Sequence, residues 1–203
     1  MMSLSSKKYK NRWSFSEAIL LGRSLIFTKI FYHKAKLVCY PVYMRGKKSL
    51  QYEEGFNIGY SCRFDLLDYS KKTLFIGKNC ELGDNCHIVA IEKVKIGDNF
   101  LGASKLFISD CSHGEYGQNE ACSSPMQIPR ERELISKPVV IGNNVWIGEN
   151  VVVLSGVNIG DGCIIGANSV VNSDIPSCSI AVGLPAKVVK KFNFKYNKWE
   201  KVL

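Results

Sequence analysis

Residues 141–176 read IGNNVWIGENVVVLSGVNIGDGCIIGANSVVNSDIP, and the reading of this stretch decides the fold. An aliphatic residue returns at 141, 147, 153, 159, 165 and 171, usually with glycine behind it and a small residue in the fifth place. A strict period of six fits neither a helix nor an alternating strand; it fits short strands stacked in coils. If each hexapeptide forms one flat side of a triangular coil, its leading aliphatic side chain points inward and stacks on the equivalent residue eighteen positions later. The predicted fold is all-β, a parallel β-helix, with coil-to-coil backbone hydrogen bonds covering each edge. Glycine and asparagine in the following places serve the turns, where positive φ is needed.

The same count runs upstream as IGKNCELGDNCHIVAIEK from Ile76, slips by two residues and resumes as IGDNFL at Ile96. The array is interrupted at 109–138 by a Gly-, Ser- and Pro-containing segment that reads as a loop extruded from one corner, and the β-helical domain is expected over residues 50–191. Residues 1–49 are a basic, partly helical segment, and 192–203 a basic tail predicted as a short helix or strand. In FSEAILLGRSLIFTKIF, Phe15, Ile19, Ile26 and Ile30 share one helical stripe that Arg23 and Lys29 interrupt. The segment is too short and too charged to span a bilayer. Packing on its own domain or on a neighbouring subunit is the favoured expectation, and a peripheral membrane contact the alternative.

The 203 residues suffice for one well-packed domain, and 46% hydrophobic content fits a folded one. A formal charge of +9 points to anionic partners without choosing among them. Nucleic acid is disfavoured because the basic residues gather at the termini with no recognisable binding module. Eight cysteines carry no CxxC pair and follow no signal-peptide pattern. Cys80, Cys86 and Cys163 fill the fifth place of their hexapeptides, so they read as small inward side chains of a cytoplasmic protein.

The tract VVIGNNVWIGENVVVLSGVNIGDGCIIGANSVV followed by GLPAKVVKK resembles the hexapeptide-repeat acyltransferase superfamily, and within it the galactoside, maltose and surface-polysaccharide O-acetyltransferases. The resemblance implies a left-handed β-helix forming a triangular prism, a homotrimer with sites between subunits, acetyl-CoA as acyl donor and a carbohydrate acceptor. It also implies that His113 is the catalytic base, because His113 matches the place of the family's histidine after an IGDN hexapeptide. Seventeen residues beyond Ile96, close to one full coil, His113 is expected near a corner stacked above the IGDN turn and at the root of the extruded loop. Histidine suits proton removal from an alcohol near neutral pH. Asp110 and Glu115 are candidates to orient the ring, though each reads more readily as a solvated loop carboxylate. Cys111 is a weak candidate nucleophile.

For the donor, the resemblance points to Trp146 beside the active-site tunnel, to the backbone around Gly148 and Ala167 along the pantetheine arm, and to Lys187 and Lys190 near the nucleotide phosphates. Asn172 and Ser173 depart from the hydroxyl and lysine that the galactoside enzymes carry there. The loop is also longer than theirs and has its own basic group, PRERELISK, so their acceptor sugar does not carry over. No metal site is expected: a γ-class carbonic anhydrase needs three zinc histidines, and of His33, His87 and His113 the first lies outside the prism. An N-acyltransferase acting on an amino sugar and a non-catalytic β-helical scaffold are the remaining alternatives. The expected location is cytoplasmic, with the inner membrane face as a variant of it.

Overall fold

Each hexapeptide from Ile141 onward folds into a two- or three-residue strand and a turn, so that three turns of sequence close one triangular coil. In the computed structural model, which describes residues 14–117 and 122–202, these coils form a left-handed parallel β-helix. Three parallel ladders make its faces. We name each by an outward residue: the Trp146 face, the Phe107 face and the Lys95 face, which the chain visits in the order Lys95, Trp146, Phe107.

The inward rows follow the sequence count. Ile141 stacks on Ile159, Ile147 on Ile165 and Val153 on Val171, each pair eighteen residues apart and buried. Where the count slips, Ile76 stacks on Ile96. Ile96 in turn stacks directly on Ile141, so the whole 109–138 excursion is inserted into one coil without breaking the ladder. Cys80, Cys86 and Cys163 are buried free thiols in the fifth place, as their slot required.

The turns divide their work differently from the expectation. Asparagine supplies the positive φ: Asn79, Asn85, Asn99, Asn144, Asn150 and Asn168 all lie between 54° and 58°. Several of these amides bond one another up the corner, as Asn99 does to Asn144 at 3.1 Å and Asn150 to Asn168 at 2.9 Å. The glycine after the leading aliphatic residue is needed instead for close approach. A Cβ on Gly148 would sit 2.6 Å from the Ala167 nitrogen of the next coil.

The parallel stacking begins upstream of residue 50. Leu37–Val38 pairs with Asn57–Ile58, and Tyr43–Arg45 with Arg63–Leu66. These first rungs lack the IG(N/D)N turn and so escape a count of hexapeptides. Helix α1 (Phe15–Phe31) lies against Leu37–Val38, held by a Ser14–Glu17 capping box at its start. At the other end Ser179–Gly183 is the last parallel rung, and the chain then adds Ala186–Asn193 and Lys198–Lys201 antiparallel, so the basic tail is a strand.

The outward rows are unequal. The Trp146 face presents Leu101, Trp146, Ile164 and Ile180 in register. The Phe107 face presents Phe107, Val152 and Val170, and below them a charged patch in which Arg63 Nε donates to Asp65 at 2.6 Å and His87 Nε2 lies 3.0 Å from the same carboxylate. The Lys95 face carries Gln51, Phe75, Lys95, Val140 and Asn158. Truncating an inward residue should therefore cost far more than truncating an outward one. Ile147→Ala is expected to lower the free energy of unfolding by about 3 kcal/mol and Lys95→Ala by less than about 0.5 kcal/mol, measured by denaturant titration.

Candidate active site

The chain leaves the coil at Ser109–Asp110 and returns at Lys137, and between them Cys111–His113 pairs antiparallel with Leu134–Ser136, His113 opposite Leu134. His113 is thus at the root of the extruded loop, as expected, but it is not above the IGDN turn. That turn stacks on residues 142–145: the Asp98 amide donates to Asn143 Oδ1 at 2.8 Å and Asn99 to Asn144. The coil that begins at Ile96 has not closed at residue 113; it closes only when Val139–Ile141 returns. His113 therefore belongs to the corner between the Phe107 and Lys95 faces.

Neither neighbouring carboxylate orients the imidazole. Asp110 is not solvated at all: it is fully buried, and its oxygens accept the amides of Ile91, Glu92 and Lys93 at 2.8–3.0 Å. Burial pushes its carboxyl above the usual carboxylate range, against the three N–H groups that favour the charged form. Its own carbonyl accepts the Lys137 amide and the Ser155 hydroxyl, each at 2.8 Å. One residue thus ties the departing strand to the coil below and the returning strand to the coil above. Glu115 accepts the Gly117 amide at 3.0 Å and closes a local turn.

What holds His113 instead is a pair the sequence reading missed. Tyr116 donates its hydroxyl to the His113 carbonyl, and Arg132, from the basic group of the loop, donates to that hydroxyl at 2.7 Å and to the Gln127 carbonyl at 3.0 Å. The two residues are sixteen apart in a segment without a repeat, so no sequence signal announced the contact. The His113 ring is exposed and makes no hydrogen bond among the described residues. A cleft of about 400 Å³ at the loop root is lined by Cys111, Ser112, Gly114, Tyr116, Lys137 and Leu154 among others, residues on either side of His113 in the chain but not His113 itself. Burial raises the Cys111 thiol above its ordinary range, the wrong direction for an activated nucleophile.

The residues expected to bind the donor gather elsewhere. Trp146, half exposed, lies in a strand, in one outward row with Ile164, Ile180 and Lys190. Gly148 and Ala167 meet at the edge where the Trp146 face turns toward the Phe107 face. Lys187 is paired with Val182 on the same sheet, exposed. One chain therefore assembles Trp146, Gly148, Ala167, Lys187 and Lys190 along one face, and carries His113 at the corner opposite that face.

The sequence family described as bacterial transferase hexapeptide (six repeats) matches residues 138–173. A relative from Escherichia coli (strain K12), named for lipopolysaccharide biosynthesis O-acetyl transfer (WbbJ), is 40% identical over 96% of this chain and 98% of its own length. The chain belongs to the hexapeptide-repeat acyltransferase superfamily. Among solved structures, a maltose O-acetyltransferase from Clostridium difficile 630 is 32% identical with a TM-score of 0.59, covering 70% of this chain and 69% of that one. A galactoside acetyltransferase in complex with coenzyme A is 29% identical with a TM-score of 0.55, covering 95% and 82%. This hexapeptide-repeat protein is thus an acyltransferase whose likeness to a relative extends well beyond the repeat, over 96% of the chain.

The role of Asp110 in this acyltransferase separates fold from chemistry. Asp110→Ala leaves the amides of Ile91, Glu92 and Lys93 without their acceptor and is expected to destabilise the protein by about 3 kcal/mol in denaturant unfolding. A loss of turnover with unchanged stability would instead make Asp110 a partner of the reaction.

Proposed function

We propose that this enzyme transfers the acetyl group of acetyl-CoA to a sugar hydroxyl during assembly of a surface polysaccharide, with His113 as general base. The observation that carries the reading is the full-length likeness to a relative named for lipopolysaccharide O-acetyl transfer, joined to an exposed imidazole whose chain neighbours Ser112 and Gly114 line a cleft. In the reaction His113 takes the acceptor's hydroxyl proton as the oxygen attacks the thioester carbonyl. A backbone N–H stabilises the tetrahedral oxyanion, the coenzyme thiolate leaves, and the imidazolium returns the proton to it. No acetylated enzyme forms. Tyr116 and Arg132 are the positioning residues that fix the backbone beneath the ring.

On the donor side, Trp146 flanks the tunnel, the groove at Gly148 and Ala167 takes the pantetheine arm, and Lys187 and Lys190 approach the phosphates. The site needs two chains, because these residues and His113 belong to opposite sides of one prism. The active assembly is then a homotrimer in which the Trp146 face of one subunit meets the Phe107 face of the next. The unequal outward rows support this: two faces present aliphatic and aromatic residues in register, and unlike faces that meet head to tail close into a ring. Free thiols throughout and a coenzyme A donor suit the cytoplasm.

Release of free thiol from acetyl-CoA against a panel of sugar and nucleotide-sugar acceptors tests the reaction. His113→Ala is expected to lose at least ~10²-fold in kcat while remaining folded. Undiminished turnover in that variant would sink the assignment. Mixing equal amounts of His113→Ala and Trp146→Ala chains by unfolding and reassembly tests the shared site. If each site takes one residue from each of two chains, random trimers regain about a quarter of the parental activity; a site within one chain regains none.

A further inference from the structure

Helix α1 buries hydroxyl side chains and exposes an apolar stripe. Its buried residues are Ser24 and Thr28. The reason lies in the strand beneath it: Leu37–Val38 has a parallel neighbour on one side only, and its open edge must find hydrogen bonds. Thr28 Oγ1 accepts the Val38 amide at 2.8 Å and Ser24 Oγ accepts the Tyr40 amide at 3.0 Å, so α1 caps the N-terminal end of the β-helix with hydroxyls. Phe27 packs partly against the core, and the apolar residues of the far side are left outside. Phe15 is 84% exposed, Ile26 and Ile30 64% and Ile19 57%, and at a helical pitch the four fall within an arc of about 60°.

The charges around this stripe have one sign. Arg23 borders it on one side and Lys29 on the other; Arg23 is held by the Tyr40 carbonyl at 3.3 Å and lies over the Tyr40 ring. The helix's one carboxylate, Glu17, is engaged in the capping box, where Ser14 N–H donates to it at 2.7 Å. The thirteen residues ahead of Ser14 include Lys7, Lys8, Lys10 and Arg12 and no acidic residue. No described helix is long and apolar enough to cross a bilayer.

We propose that α1 is a peripheral membrane contact, lying flat with its stripe in the acyl boundary of an anionic bilayer and Arg23 and Lys29 against the headgroups. Pairing of the stripe with a second copy is disfavoured by the same charges, since Arg23 and Lys29 of both helices would meet with no acidic partner. The inference does not depend on the chemistry at His113. In the trimer proposed above, and resting on it, side-by-side prisms bring three such ends to one plane, so that weak single contacts add.

The test is co-sedimentation of the full chain with vesicles of phosphatidylcholine, alone or mixed with phosphatidylglycerol, with thermal unfolding and light scattering on every variant. The chain is expected to bind the mixed vesicles, more weakly at high salt, and to bind neutral ones poorly. Ile19→Glu with Ile26→Glu should weaken binding at least ~10-fold, and Lys29→Gln several-fold, with melting and oligomeric mass unchanged. Absence of binding to anionic vesicles overturns the proposal, as does undiminished binding of the double glutamate variant. A smaller oligomer in that variant also overturns it and assigns the stripe to a second copy.

Discussion

The packing of each leading aliphatic side chain on its counterpart one coil away governs everything else in this protein. With Ile147 on Ile165 and Val153 on Val171, both buried, the strands between turns are held to two to four residues, and the side chain before each inward one must face out. The stack is only as close as its backbone allows, which is why glycine follows at 148: the neighbouring coil occupies the space of a Cβ. The inward side of the prism is therefore almost fully determined. Chemistry can be carried only by outward positions and by whatever interrupts the coil.

An interruption is tolerated where the ladder can close over it. The insertion between Ser109 and Lys137 leaves Ile96 stacked on Ile141, because the excursion begins and ends at one corner and Asp110 bridges its two roots. A buried carboxylate with three amide donors is an expensive way to make a corner unless the corner must be rigid. Rigid it is, since the hairpin that bears His113 grows from it and the Tyr116–Arg132 pair then ties the loop down on the His113 backbone.

This division also explains what could be read from the sequence. The coils from Ile76 onward were legible because each repeats one physical demand at a fixed interval, and the buried cysteines were legible for the same reason. The first rungs, Leu37–Val38 and Tyr43–Arg45, obey the same packing but turn by other means, so the count missed them. The position of His113 was legible as a register match and illegible as geometry, because counting residues through a loop assumes that the coil continues. Asp110 looked like a loop carboxylate for the same reason: sequence distance says nothing of the coil below, where its three donors lie.

The two ends of the solenoid pose a problem that the repeat cannot solve by repeating. Each end leaves a row of backbone groups without a next coil. At the C-terminal end the chain answers with its own backbone, turning antiparallel at Gly183–Ala186 and adding two further strands to the Trp146 face. At the N-terminal end it answers with side chains, and a helix can offer an open strand edge only what its side chains carry. Hydroxyls from Ser24 and Thr28 meet the edge amides, which fixes the polar side of α1 inward. A helix with aliphatic and aromatic residues on its other side then has no inward choice left for them. The exposure of Phe15, Ile19, Ile26 and Ile30 is thus a consequence of how the β-helix is closed, and their apolar partner must come from outside the prism.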